Sequence, residues 1–168
     1  MAGITSPTPA DPGARNDAWP PESADLLARI DHLLRDGRAD QALDAATGVP
    51  GSPWVENARA VCLLRLGQPA RAAEVLRGLV FDPSGLTVRT DADPAFLANY
   101  ATALLLTGNT DGFHGMLNAV RDRGHPAVVR LTDAVRRWKA AMTWGEWVRS
   151  LLGAPARPLT LDFPPGDL

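Results

Sequence analysis

Three histidines, His32, His114 and His125, and one cysteine, Cys62, are the residues of this chain with the widest reactive repertoire, and their spacing gathers none of them. Imidazoles bind zinc as a pair when they recur one helical turn apart, as in HExxH, and no such spacing occurs. A lone cysteine rules out an intrachain disulfide and a cysteine-rich zinc site, and it fits a reducing compartment. There is no glycine loop suited to phosphate and no GxSxG elbow to expose a nucleophilic serine. The sequence therefore predicts no catalytic residue, no metal and no cofactor. What remains is the chemistry of recognition. From Arg121 to Arg149 seven basic residues stand against three acidic ones, with Arg136, Arg137 and Lys139 opposite an apolar stripe. Such a stretch reads first as a solvated helix face and second as an attraction for nucleic acid or an acidic partner. A net charge of −2 over 168 residues excludes a strongly basic nucleic-acid binder.

Prolines and glycines define the elements that must position any recognition residues. Five prolines fall in residues 1–21 and four in 153–168, so residues 1–22 and 154–168 are expected to be extended or disordered and residues 23–153 to form the folded unit. The six interior prolines stand at boundaries of periodic segments, where a missing amide donor costs least. Ser52 and Asp93, each directly before a proline, carry side-chain oxygens suited to cap a helix, and His125 holds the same place before Pro126. The predicted helices run from about Ala24 to Asp36, Asp40 to Thr47, Pro53 to Leu66, Pro69 to Val80, Pro94 to Thr107 and Thr110 to Asp122. A longer one starts near Pro126 and keeps Val128, Leu131, Val135, Trp138 and Met142 in line. Thr143 and Glu146 match a capping box, so a break at Thr143 and a new helix carrying Trp144, Trp147, Val148 and Leu151 are expected. The fold class is all-α, with antiparallel helical hairpins stacked one on another. No stretch reaches eighteen uninterrupted apolar residues and the amino terminus has no apolar leader core, so a soluble cytoplasmic protein is expected.

Gly37, Gly67 and Gly108 each close an apolar-periodic segment, and five residues after each stand Ala42, Ala72 and Phe113. Residues 52–83, SPWVENARAVCLLRLGQPARAAEVLRGLVFDP, resemble a tetratricopeptide repeat. They have an aromatic near the start, small Ala60 at the helix crossing, Gly67 at the turn, Ala72 in the second helix and Asp-Pro at the close. Two helices in a tight hairpin need a side chain no larger than a methyl at their closest approach, which accounts for the small residues. Residues 23–50 and 94–124 fit more loosely, the first with a truncated second helix and the third with Phe113 where alanine is expected. Gly112 and Gly115 are expected to make room for that ring. The glycine spacings are 30 and 41 residues against a family period of about 34, the excess lying in SGLTVRTDAD, residues 84–93.

The resemblance implies about three repeats and a capping helical segment, in a short solenoid whose first helices line a concave groove for a protein or peptide partner. By position, that groove holds Asp31, Arg35, Trp54, Asn57, Val61, Arg65, Asn99 and Thr102. The family's clamp for a terminal carboxylate would fall on Leu27, Asp31, Ala58, Ala95 and Asn99, and only the last keeps the required type. Asn57 and Asn99 could instead hydrogen-bond the backbone of an extended peptide, since an amide both donates and accepts. The expected function is a non-enzymatic adaptor. The alternatives are a structural protein that self-associates through its Trp-rich end or tail, or a small chaperone of secretion substrates. In the tail, Leu159, Leu161 and Phe163 alternate as one face of an extended strand. That strand could pair with Leu86–Val88 or cross the helices. The three side chains are expected to dock on the chain's own helices near the insertion or on a neighbouring molecule.

Overall fold

The computed structural model describes residues 19–49, 51–140 and 163–168. Within them the chain is all-helical: α1 (Ala24–Arg35), α2 (Ala39–Ala46), α3 (Pro53–Arg65), α4 (Pro69–Val80), α5 (Pro94–Leu106), α6 (Thr110–Ala119) and α7 (Pro126–Ala140). Leu27, Ile30, Leu33 and Leu34 of α1 recur at spacings of three and four and are all buried. Ser52 caps α3 by accepting from the Val55 amide at 3.4 Å, and Asp93 caps α5 by accepting from the Ala95 amide at 2.8 Å. Both helices open on proline, whose missing amide falls where no intrahelical partner exists.

Three turns of one design reverse the chain. At Gly37 the Arg38 amide donates to the Leu33 carbonyl at 2.9 Å and the Gly37 amide to the Leu34 carbonyl at 3.3 Å. The same pair of bonds recurs at Gly67 (Gln68 to Leu63, 2.8 Å; Gly67 to Leu64, 3.1 Å) and at Gly108 (Asn109 to Leu104, 2.9 Å; Gly108 to Leu105, 3.1 Å). Each is a Schellman closure, and it needs the left-handed backbone that these glycines adopt at φ of 74°, 69° and 81°. The next helix starts at once, and the residue five beyond each glycine, Ala42, Ala72 or Phe113, is fully enclosed.

Each helix from α1 to α6 packs on its neighbour in sequence, and α1, α3, α5 and α7 also pack in a row. Helices α3 and α5 are held between neighbours on several sides and are buried over most of their length. Ten of the thirteen residues of α5 are buried. Trp54 bridges the α1–α3 part of the core to the α5–α7 part and meets Phe96 edge-on at 5.0 Å between ring centroids.

Several expectations need correction. Helix α6 ends at Ala119 rather than Asp122, because Val120 turns to an extended conformation and buries its side chain in the core. Gly112 does not make room for Phe113. A Cβ there would lie 2.9 Å from the Asn109 side chain, which caps the helix by accepting from the Gly112 amide, and a Cβ at Gly115 would meet nothing. The expected pairing of Leu86–Val88 with Leu159–Phe163 falls on tail residues, 159–162, that lie outside the described ones. Val88 bridges back to Phe81, and Leu86 stands 86% exposed at the tip of the loop. That loop is closed by Asp82, whose carboxylate accepts from the Ser84 hydroxyl at 2.6 Å and is held below its usual range chiefly by that bond. Trp19 is 6% exposed and packs among α1, α2 and α3. The expected break at Thr143 and the Trp144–Leu151 helix lie outside the described residues. Among those described, no helix is long and apolar enough to cross a membrane.

Candidate peptide-binding groove

The row of odd-numbered helices turns two asparagines inward. Asn57 on α3 is 0% exposed and Asn99 on α5 is 2% exposed. A buried primary amide left without partners costs about 1–3 kcal/mol, so these side chains demand something polar between them. That something is the chain's own segment Phe163–Leu168. The Asp167 amide donates to Asn99 Oδ1 at 2.9 Å, and Asn99 Nδ2 donates to the Asp167 carbonyl at 2.7 Å. Asn99 thus meets Asp167 as one strand meets another, through both backbone groups. Because Asp167 N–H can only donate, Asn99 must present its oxygen there. Its second Nδ2 proton then goes to Asn57 Oδ1 at 2.8 Å, and Asn57 Nδ2 completes the set by donating to the Asp167 carbonyl at 3.2 Å.

Two arginines flank this pair. Arg65, in the last turn of α3, donates from Nε to the Pro165 carbonyl at 2.7 Å and from Nη2 to the Gly166 carbonyl at 3.2 Å. Burial lowers its pKa from the ordinary value and the nearby Asp167 carboxylate opposes that shift. Arg130 on α7 pairs with the Asp167 carboxylate at 2.5 Å, and its guanidinium carbon lies 5.8 Å from the centroid of the Phe163 ring. Between the arginines Gly166 is pressed to the helix surface at φ +87°, where a Cβ would come within 3.1 Å of Val61 Cγ1 and 3.2 Å of Leu64 Cδ1. Leu168, partly buried, packs on the apolar cluster shared by α1, α2 and α3. The prolines at 164 and 165 carry no amide proton, so the approach to the groove leaves no donor to satisfy.

Of the eight residues predicted to line the groove, the structure brings four, Asn57, Val61, Arg65 and Asn99, onto this segment. The two asparagines are enclosed rather than exposed helix residues. Asp31 is spent on an ion pair with Arg35 one turn on, and Arg35 itself is exposed. Trp54 belongs to the core, and the buried Thr102 hydroxyl donates to the Ala98 carbonyl at 2.8 Å within its own helix. In the tail, Phe163 is half-buried over Arg130, and the bonds of residues 163–168 run to α3, α5 and α7. Leu159 and Leu161 lie outside the described residues. Sequence reasoning missed Arg130, Leu64, Gly166 and Asp167. Arg130 was hidden in a basic stretch that reads as a solvated face, and only the proximity of α7 to the tail separates it from Arg136.

No protein-family model, curated protein or solved structure matches this chain. Its chemistry is therefore read from the groove alone. Cys62, next to the groove on α3, is wholly buried, and burial pushes its thiol up to about 12, which keeps it protonated and unreactive. Among the described residues, no three His, Cys, Asp or Glu side chains gather as a metal would require. The arrangement holds backbone carbonyls, one backbone amide and one carboxylate in fixed register, which is the chemistry of binding an extended chain.

Proposed function

We propose that this chain is a non-enzymatic protein–protein interaction module whose helical pairs, resembling tetratricopeptide repeats, bind an extended peptide across the row α1, α3, α5 and α7. The observation that supports it most directly is the Asn57–Asn99 pair, two buried amides that bond to each other once and otherwise to the backbone of the resident segment. Recognition through backbone groups gives affinity with modest demands on sequence, and pockets for particular side chains add specificity. The Schellman closures at Gly37, Gly67 and Gly108 support the repeat reading, since they return the chain three times by the same local device.

The test is selection of random hexapeptides on the full-length chain carrying Asp167→Pro, which removes the amide that Asn99 accepts from and so loosens the resident segment. Peptides should be enriched, and their binding should disappear when Asn57→Ala and Asn99→Ala are added. No enrichment, or peptides indifferent to the two asparagines, refutes the reading.

A further inference from the structure

We infer that the groove selects a glycine–acidic–aliphatic motif in a partner protein, and that residues 166–168 of the chain are the resident competitor for it; this rests on the peptide-binding reading above. Each position of the motif has its own physical cause. Glycine is demanded twice over. Backbone φ at Gly166 is +87°, which L side chains rarely adopt, and any Cβ would press within 3.1–3.2 Å of Val61 and Leu64. Those two side chains, in the second half of α3, are 0% and 2% exposed, so they have nowhere to retreat. The following residue is fixed in register by Asn99, which takes its amide and its carbonyl together, so proline is excluded there. Its side chain faces Arg130, and the nearby Arg65 adds a second positive charge, so a carboxylate is preferred over an amide. The third residue packs on the apolar α1–α3 cluster, as Leu168 does. The residue before the glycine contributes a carbonyl to Arg65 and no donor, so proline is accepted.

Enclosure of the asparagines makes this an exchange. The resident segment supplies that enclosure and bonds to Asn57 Nδ2 and Asn99 Oδ1, so a partner reaches the two amides only by displacing it. A tethered segment acts at an effective concentration on the order of millimolar, so a free peptide of equal quality competes poorly until the resident is weakened.

The experiment is fluorescence anisotropy of labelled, end-blocked FPPGDL and FPPADL peptides against full-length wild type, Gly166→Ala and Gly166→Ala/Asn57→Ala/Asn99→Ala, with circular dichroism to show that each is folded. Asp167→Lys, which sets like charge against Arg130, serves as a second way to unseat the resident segment should Gly166→Ala not fold. Unseating is expected to tighten FPPGDL binding at least about ten-fold over wild type. FPPADL should bind the unseated chain at least about ten-fold more weakly than FPPGDL. FPPGNL should be weakened several-fold, and Arg130→Gln in the unseated chain should abolish that preference for aspartate. Equal binding of the glycine and alanine peptides overturns the motif but leaves the peptide groove standing. Failure of every peptide to bind a folded, unseated chain overturns the groove itself. Equal affinity of wild type and unseated chain overturns the resident competitor. Dimerisation of wild type that rises with concentration and is lost in Gly166→Ala assigns the groove to a second copy and overturns the partner claim.

Discussion

Replacing Asn99 by alanine removes three hydrogen bonds at once: 2.7 Å to the Asp167 carbonyl, 2.9 Å from the Asp167 amide and 2.8 Å to Asn57 Oδ1. At about 1 kcal/mol net apiece the direct loss is about 3 kcal/mol, and Asn57 Oδ1 is left facing a methyl group. An escape limits the damage. If residues 163–168 lift away, the Asp167 backbone and Asn57 regain water, so the total cannot exceed the free energy with which that segment docks. The expected loss is therefore about 2–3 kcal/mol in a denaturant titration. Adding Asn57→Ala should cost much less than it does alone, because the two amides share the Asp167 carbonyl and each other. Hydrogen exchange supplies the decisive reading. The Asp167 amide should be protected in wild type and exchange near the free-chain rate in Asn99→Ala. A variant within about 0.5 kcal/mol of wild type whose Asp167 amide stays protected would refute the reasoning.

Other outcomes follow from the core and the turns. Cys62 should resist thiol reagents at pH 8 in the native state. Its thiol rises from 9.0 to about 12 on folding, so its contribution to stability is complete below pH 9.0 and declines as pH climbs toward 12, a slope that Cys62→Ala should reduce in alkaline denaturant titrations. Gly67→Ala should cost about 1–2 kcal/mol in thermal unfolding without touching the core, because a Cβ there meets nothing within 4 Å and the whole penalty is the left-handed backbone at φ +69°. Phe113→Ala, removing a ring 1% exposed in the α5–α7 core, should cost about 3–5 kcal/mol; a loss below about 1 kcal/mol would mean that α6 does not pack as described.

Much of the fold was legible because its causes are local. A helix start at Pro53 or Pro94 needs only the oxygen of Ser52 or Asp93 and the ring that follows, both contiguous in sequence. A closure at Gly67 needs only one residue free to adopt positive φ. The misreadings arise where nonlocal or competing contacts prevail. Periodicity carries α6 on to Asp122, but Val120 leaves the helix to fill the core. The glycines beside Phe113 look like space for its ring, yet the space at Gly112 belongs to the Asn109 cap.

The sequence by itself determined that the described residues are helical, the starts and turns of those helices, and four residues of the groove, since position within a hairpin is enough to say that Asn57, Val61, Arg65 and Asn99 share a face. Tertiary structure decided what that face holds. Asn99 lies 68 residues from Asp167 and Arg65 lies 100 from Pro165, and no pattern of amphipathicity encodes a pairing at such separation. Alternation of Leu159, Leu161 and Phe163 suggests an apolar strand, whereas the docked segment is held mostly by its backbone, which has the same donors and acceptors in every sequence. The position where sequence and groove must agree most strictly is Gly166, and its reason, two side chains of α3 within 3.2 Å of an absent Cβ, exists only once the chain has folded.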